Sequence, residues 1–328
     1  MDDIATQYRI ITDGAGWIER TDRGRLRFDG ADRTSFLQAL LTNDVAGLAP
    51  GAGTLALYLT PQGRTIADFH IFVSSDHVLA DVPAAVATKL AQTLDALVFT
   101  EDVRITDVSS AIRQISVVGR RAAALLAGLA GNTEQALKDL PVWSHVVRSN
   151  GLVVRTDDFG VDSWDILVAQ AEMPAVLAAL ERHGAVSASQ AVSETLRIEA
   201  GRPRFGVDFA EETLPLEAGL LDRAISRTKG CYVGQEVIIR VLDRGAGRVA
   251  KRLVRLSVDR DHEPPPAHAR IVVDGRDVGR LTSVASSSGA AGFMALGYVA
   301  RDLADQDRIV TLSWDDRTTT ARITGLAG

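Results

Sequence analysis

The residues best suited to chemistry lie in one short segment, the octet from Lys229 to Glu236, which reads KGCYVGQE. It contains the only cysteine of the chain, Cys231, two residues after one of only four lysines. A nearby ammonium group favours the thiolate, which is the reactive form of cysteine, and Gly230 leaves the thiol sterically open. The octet thus predicts thiol chemistry, although the spacing by itself favours the commoner role of a buried structural cysteine.

The second half of the octet has the backbone chemistry of an anion site. If a helix or strand begins at Val237, then Gly234 and Gln235 offer free backbone N–H groups to an anion. The octet also lies within residues 196–248, a glycine-punctuated run with few periodic features. Such runs inside compact proteins are usually functional or disordered, and the Leu, Phe and Ile content of this one argues against disorder.

Composition excludes several classes of protein. With a single cysteine among 328 residues, the chain cannot form an intramolecular disulfide, a zinc site of paired cysteines or a self-contained [4Fe–4S] cluster. We therefore predict no metal site within the chain. The formal net charge of −6 makes nucleic acid an improbable partner, because nucleic-acid binding favours a basic face.

The sequence shows neither a targeting segment nor a membrane span. Residues 1–20 open with two acids and are interrupted by charges, unlike a signal peptide. The longest apolar run, about residues 122–130, is far shorter than the ~20 residues that a spanning helix needs. We expect a soluble cytoplasmic protein with no membrane partner.

The elements that must position these residues form an α+β pattern. Strands alternate with helices up to about residue 200, and neighbouring strands are linked as hairpins, as in 54–60 and 64–72. In the second of these strands the two-residue period places Asp68 and His70 on one face. Such a pair is more often a local hydrogen bond than a catalytic dyad. Ser189 is predicted to cap a helix, and six short strands after residue 247 predict a small barrel or sandwich.

The octet KGCYVGQE resembles the signature of the folate-binding YgfZ-type family, whose mitochondrial relatives serve iron–sulfur protein maturation. Two upstream segments, LRIEAG at 196–201 and TLPLEA at 213–218, look like the matching parts of that family. The first is also similar to the glycine cleavage T-protein, the aminomethyltransferase of the same superfamily. N-terminal blocks at 30–45 and 62–64 resemble the first domain of the family.

This resemblance implies a three-lobed, ring-like α+β architecture around a central channel that admits a folate. We assign residues 1–50 with 110–200 to a first α+β lobe and residues 51–109 with 201–246 to a second lobe that carries the octet. Residues 247–328 form the third lobe, a small β-barrel in that family, in agreement with the independent interpretation of the C-terminal strands.

The resemblance also implies roles for individual residues. Glu199 takes the position of a glutamate that binds the pterin ring in that family. A carboxylate suits this role because it accepts two parallel N–H hydrogen bonds. Asp68 is similar to the catalytic aspartate of the T-protein. Cys231 and Lys229 join it as candidate catalytic residues. The candidate folate-binding residues, besides Glu199, are Gly230, Tyr232, Gly234, Gln235 and Arg240, the last with Arg244 and Arg248 toward the glutamate tail.

The resemblance implies two functions, and the cysteine by itself leaves open a third. The leading hypothesis is a tetrahydrofolate-binding protein that assists iron–sulfur cluster assembly or repair, with Cys231 as its thiol and iron–sulfur client or assembly proteins as partners. The alternative is a folate-dependent aminomethyltransferase of the glycine-cleavage type, against which the octet argues because the T-protein lacks that cysteine. A cysteine hydrolase would need a nearby histidine base, and no histidine occurs between His183 and His262.

Overall fold

The computed structural model describes residues 4–148, 151–245, 247–259, 263–287 and 292–328. Its strands form three sheets. The first sheet has the order β11-β1-β7-β10-β9-β8, with β1 Gly16–Glu19, β7 Ile112–Val118, β8 His145–Arg148, β9 Gly151–Thr156, β10 Ser163–Ala169 and β11 Val186–Ser187. The second has the order β3-β4-β5-β2-β6, with β2 Arg23–Asp29, β3 Gly53–Leu59, β4 Thr65–Val73, β5 Val78–Pro83 and β6 Arg104–Asp107.

The third sheet is a closed six-stranded barrel. Its strands are β12 Lys251–Asp259, β13 Arg270–Val273, β14 Arg276–Ser286, β15 Gly292–Ala300, β16 Ile309–Trp314 and β17 Arg317–Leu326. Alternate apolar residues such as Val254, Leu256 and Val258 fill its interior, as the two-residue period of a strand requires. The predicted α+β fold with a C-terminal barrel is therefore confirmed.

Most of the helices cover the outer faces of the two open sheets, and the last two, within residues 221–239, pack into the core between the sheets. The helices are α1 Ile4–Asp13, α2 Arg33–Leu40, α3 Ala87–Asp95, α4 Ala122–Ala130, α5 Glu134–Lys138, α6 Met173–Arg182, α7 Gln190–Glu199, α8 Leu221–Ala224 and α9 Gln235–Ile239. Ser189 caps α7 as predicted, since its side chain accepts from the Val192 N–H. None of the helices in the described part of the chain is long and apolar enough to cross a bilayer.

A shared core joins the inner faces of both open sheets. Leu55, Leu57 and Phe72 of the second sheet pack there with Val154 and Leu167 of the first. Apolar side chains from the segment after α7 complete this core, namely Phe209, Leu216, Ala218, Leu220 and Ile238. The glycine-punctuated run therefore folds as a packed layer between the two sheets.

Strand pairing corrects one part of the predicted division into lobes. Residues 1–50 were assigned to the first lobe, but β2 pairs with β5 and β6 of the second sheet. Phe36 and Leu37 of α2 also pack into the core of that sheet. Among the described residues 4–50, only those of β1 pair within the first sheet. Local strand and helix signals do not encode which distant strand is the partner, and so the boundary was misplaced. The division is otherwise still a prediction.

His145 makes stability depend on pH. The residue is only 4% exposed, and neither ring nitrogen has a hydrogen-bond partner among the described residues. Burial lowers its pKa from 6.5 to about 4, so the native ring stays neutral while the unfolded ring takes up a proton. Its contribution to stability is therefore complete above pH 6.5 and is lost as the pH falls toward 4, by up to about 3 kcal/mol. Urea unfolding of wild type and His145→Gln between about pH 7 and 4 tests this. A pH-independent difference between the two proteins would contradict it.

Candidate functional site

The site is a cavity of about 300 Å³ at the junction of the two open sheets. Side chains from β1, β2, β4 and α7 and from the loops that follow them reach its wall. Six arginines and five acids line it, together with apolar groups that include Phe159, Phe205 and Phe209. A cavity of this size with aromatic and charged walls suits a flat heteroaromatic ligand that carries an anionic tail.

Asp68 presents an unsatisfied carboxylate oxygen at this cavity. It lies on β4 and is 7% exposed. Its Oδ2 accepts a hydrogen bond of 2.8 Å from Nη1 of Arg23, while Oδ1 is buried and has no partner among the residues that the structure describes. A buried polar atom without a partner costs about 1–3 kcal/mol. An N–H donor of a ligand would remove that cost, so Oδ1 marks the point at which the cavity binds a donor.

A buried polar network holds Arg23 in place. Its Nε donates to Oδ1 of Asp81 at 2.5 Å, and its Nη2 donates to the Asp81 carbonyl at 3.0 Å. Burial disfavours the charge of Asp81, but Arg23 and then His70 outweigh burial and lower its pKa. Asp81 is therefore ionised and anchors the guanidinium that in turn orients Asp68.

The same network links the two open sheets. The side-chain amide of Gln114 on β7 donates to Asp81 of the second sheet and to Asp165 of the first, each at 2.7 Å. Burial raises the pKa of Asp165 to about 6, although Arg20 favours its charge. Arg20 also donates to Asp158 at 3.2 Å. The position of Asp68 thus depends on contacts that cross between sheets.

The structure places Glu199 away from this cavity. Its Oε2 accepts a hydrogen bond of 2.8 Å from the Tyr8 hydroxyl, which joins the end of α7 to α1. Glu194, five residues earlier on the same helix, lines the cavity instead. Arg197 and Arg204 hold its carboxylate, with contacts of 2.8 and 2.6 Å. Glu194 is therefore the carboxylate of α7 that a ligand in the cavity would meet.

Lys229 of the octet binds the C-terminal end of a helix. Its Nζ donates to the carbonyl oxygens of Gln38 and Leu41 at 2.5 Å and of Asn43 at 3.3 Å, at the C-terminal end of α2. Lysine commonly binds the unpaired carbonyls at such ends. Burial lowers its pKa to about 8, against the opposing charge of Asp44. The ammonium group is thus occupied by the end of α2, and the predicted role of activating Cys231 has no support in its contacts.

Gly234 and Gln235 form a turn, not an open row of donors. The Gln235 N–H donates to the Tyr232 carbonyl at 3.3 Å, and the Gln235 side chain accepts from the Tyr232 N–H at 3.1 Å. Gly234 has φ +81°, and a Cβ there would lie 2.4 Å from the Thr60 carbonyl oxygen. The turn therefore packs against the β3–β4 hairpin, where Gly63 also has positive φ. Of the two donors predicted for an anion, the Gln235 N–H is thus used within the chain.

This packing predicts a large difference between two glycines of the octet. Gly234→Ala puts a side chain into the left-handed region and against the Thr60 backbone, so we expect a loss of about 2 kcal/mol or more in the free energy of unfolding. Gly230→Ala is the matched control, because a Cβ at Gly230 meets no atom within 4 Å. Its change should stay within about 0.5 kcal/mol in urea unfolding. Equal losses in both variants would disprove the structural role of Gly234.

The other predicted residues lie apart from Asp68. Cys231 is free and exposed. Tyr232 is 9% exposed, with the Lys229 ammonium 5.3 Å from its ring centre. Lys229, Tyr232 and Gln235 line a second cavity of about 730 Å³, which shares Arg223 with the first. Arg240 is exposed and is absent from the described walls of both cavities, while the Arg244 side chain lies outside the described residues.

Sequence reasoning missed Arg23, which lines the cavity and belongs to a row of arginines on β2. Arg23, Arg25 and Arg27 alternate along β2, and this pattern places all three on one face of a strand. Two of them are buried, at 6% and 5% exposure. Charged side chains are rarely buried unless they are paired. Three arginines on one face of a strand therefore indicate acidic partners and a buried ion-pair network, and this was the signal available in the sequence.

Comparisons with known proteins agree over nearly the whole chain. The family described as GCVT N-terminal domain matches residues 1–229, and the glycine cleavage T-protein C-terminal barrel domain matches residues 251–327. The chain is 30% identical over 310 residues to an aminomethyltransferase of Geobacillus kaustophilus, covering 92% of this chain and 83% of that protein. It is 29% identical over 309 residues to a putative chloroplastic transferase of Arabidopsis thaliana, covering 91% and 68%.

A solved structure gives the same result for the fold. The crystal structure of the glycine cleavage system aminomethyltransferase T from Bartonella henselae superposes with a TM-score of 0.87 at 19% identity. The superposition covers 98% of this chain and 88% of that one. The two sheet lobes and the barrel are therefore arranged as in that protein.

Proposed function

Because the chain belongs to the glycine cleavage T-protein family, with both its N-terminal domain and its C-terminal barrel, we propose that it binds tetrahydrofolate in the 300 Å³ cavity. There it acts as a folate-dependent aminomethyltransferase of the glycine-cleavage type. The observation that carries this proposal is the buried, unpartnered Oδ1 of Asp68 on the cavity wall. Curated relatives named aminomethyltransferase favour this function over the leading hypothesis of the sequence analysis.

Each part of a folate has a counterpart in the lining of the cavity. Asp68 Oδ1 would accept an N–H of the reduced pterin, and Glu194 is a second carboxylate for its amino-oxo edge. Phe205 and Phe209 form an edge-on aromatic pair with ring centres 5.6 Å apart, against which the ring system would pack. Arg223 would face the anionic glutamate tail. We propose Glu194 in place of Glu199 for the pterin because Glu194 lines the cavity.

Two measurements test the proposal directly. Calorimetric titration of tetrahydrofolate into the full chain tests binding, with Glu194→Gln expected to weaken affinity about tenfold through loss of a charged acceptor. Release of ammonia and methylene-folate from an aminomethyl-lipoyl carrier tests the reaction. A chain that binds no tetrahydrofolate, or that binds it without any release of ammonia, would disprove the corresponding part of the proposal.

A second candidate function rests on Cys231. Its thiol is exposed and forms no disulfide. A thiol that bonds to another protein or to a shared metal must be accessible in this way. This supports a folate-binding protein that assists iron–sulfur cluster assembly or repair, with client or assembly proteins as partners. Because the chain has only one cysteine, the other sulfur ligands of such a cluster would come from the partner.

Replacing Cys231 by Ala separates the two candidates. The thiol lines neither cavity in the described residues, so tetrahydrofolate affinity should stay within about twofold of wild type in calorimetry. Ammonia release should persist as well. If the second candidate holds, a cluster-dependent client enzyme should lose activity in cells that carry only Cys231→Ala. Full client activity in those cells would exclude a role for the thiol.

A further inference from the structure

His70 is a buried titratable residue at the same cavity, next to Asp68. It lies two positions further along β4, is 5% exposed and lines the cavity. Its Nε2 is 3.8 Å from Asp68 Oδ2, and its Nδ1 is 3.6 Å from Asp81 Oδ2. Both distances are too long for hydrogen bonds. Nδ1 is fully buried and accepts or donates no hydrogen bond within the described part of the chain. The ring therefore faces two carboxylates while retaining hydrogen-bonding capacity that the fold does not use.

A strained residue holds this ring in place. Trp143 packs its indole on the imidazole with ring centres 4.2 Å apart. Trp143 has φ +70°, a conformation that bulky residues rarely adopt. Strain of this kind costs about 1–3 kcal/mol and persists where the surroundings enforce it, often at functional sites. Here the indole fixes the imidazole at the cavity wall.

The proposed reaction moves two protons. The carbon of the aminomethyl thioether forms bonds to N5 and N10 of tetrahydrofolate, its acceptor substrate, while its C–S and C–N bonds break. The electron pairs of the broken bonds leave with sulfur and nitrogen. The two folate N–H protons pass to these leaving groups, which depart as a thiol and ammonia. A single carboxylate carries one proton at a time, so a second proton carrier would serve this reaction.

We propose that His70 is this second proton carrier, with Nε2 taking up one proton at the cavity and returning it to a leaving group while Asp68 carries the other. The inference rests on the proposed function. Ionised Asp81 beside Nδ1 stabilises the charge that the ring gains, as an orienting carboxylate does for a general base. The charged groups around the ring are Asp68 on its own strand, Asp81 on β5, Asp158 on the loop after β9, Arg23 on β2, and Arg20 before β2.

The direct test follows the ring by NMR and needs no turnover. The chain has six histidines, and His70→Gln assigns the imidazole signal of His70. We expect its titration midpoint to move when the full chain is saturated with tetrahydrofolate, because the ligand occupies the space that Nε2 faces. His77 is the internal control, since it pairs with Asp76 at the surface. A His70 titration that is unchanged at saturation would overturn the inference.

Kinetics supply the second test. His70→Gln should lower kcat for ammonia release about 100-fold and remove one limb of its pH profile, with tetrahydrofolate affinity changed less than about threefold. His77→Gln should leave kcat and its pH profile unchanged. An unaltered pH profile in His70→Gln overturns the inference even if kcat falls. If the wild-type protein binds no tetrahydrofolate, the proposed function has failed. If the wild-type protein binds tetrahydrofolate and releases ammonia while both His70 tests are negative, only this inference has failed.

Discussion

Asp68→Asn is expected to lower kcat for ammonia release by about 10³-fold and to weaken tetrahydrofolate binding by about tenfold or more. The substitution keeps the size of the side chain but removes its charge and its capacity to take up a proton. Arg23 still bonds to Asp81 through Nε and Nη2, so the variant should fold. Steady-state kinetics and calorimetry on the same preparation measure both losses.

The matched control for this substitution is Asp29→Asn. Asp29 also pairs with an arginine, Arg27, on the same sheet, but it lies outside the cavity. We expect its kcat and tetrahydrofolate affinity to equal those of wild type. If Asp68→Asn retained kcat and affinity within about twofold of wild type, the unpartnered Oδ1 would have no role in the ligand site.

Arg23→Met is expected to have the largest effect on stability, a loss of about 3–5 kcal/mol in the free energy of unfolding. Arg23 is 6% exposed and binds Asp68 and Asp81 at once. Without the guanidinium, the fully buried carboxylate of Asp81 keeps, among the described side chains, only Gln114 as a hydrogen-bond donor, with His70 nearby. Urea unfolding at neutral pH, monitored by tryptophan fluorescence, gives this value.

Arg27→Met is the control on the same strand. Arg27 forms an ion pair with Asp29 but is 36% exposed at its side chain. An ion pair of that kind contributes about 0–1 kcal/mol, so its removal should change little. The double variant Arg23→Met with Asp81→Leu should recover part of the loss, because the fully buried Asp81 carboxylate is removed together with its partner, and only Asp68 is left without its arginine. Equal losses for Arg23→Met and Arg27→Met would refute the buried network.

Local signals in the sequence were sufficient to predict several elements. The hairpin of β3 and β4, the cap at Ser189 and the all-β C-terminal lobe depend on turn residues, side-chain period and capping chemistry, which act over a few residues. Asp68 and His70 were predicted to share one face of β4, and both line the cavity. These features need no knowledge of distant contacts.

The octet shows where residue types mislead. Lys229 next to Cys231 in the chain indicated an activated thiol, whereas its ammonium group binds the end of α2, nearly 190 residues away in sequence. Gly234 indicated an anion site, but its conformation serves close packing against the β3–β4 hairpin. A lysine ammonium group or a glycine is compatible with several roles. The contacts that it makes in the folded chain determine which of these roles it has.

The sequence by itself determined the α+β class, the all-β C-terminal lobe and the exclusion of a disulfide within the chain, and its resemblance to a known family made Asp68 a candidate. The tertiary structure alone decided that β2 belongs to the second sheet, that Arg23, Asp81 and His70 surround Asp68, and that Glu194 lines the cavity where Glu199 does not. The reason is physical. Helix and strand preferences are set within a few residues, whereas a buried charge is stabilised by partners that chain folding brings from distant strands.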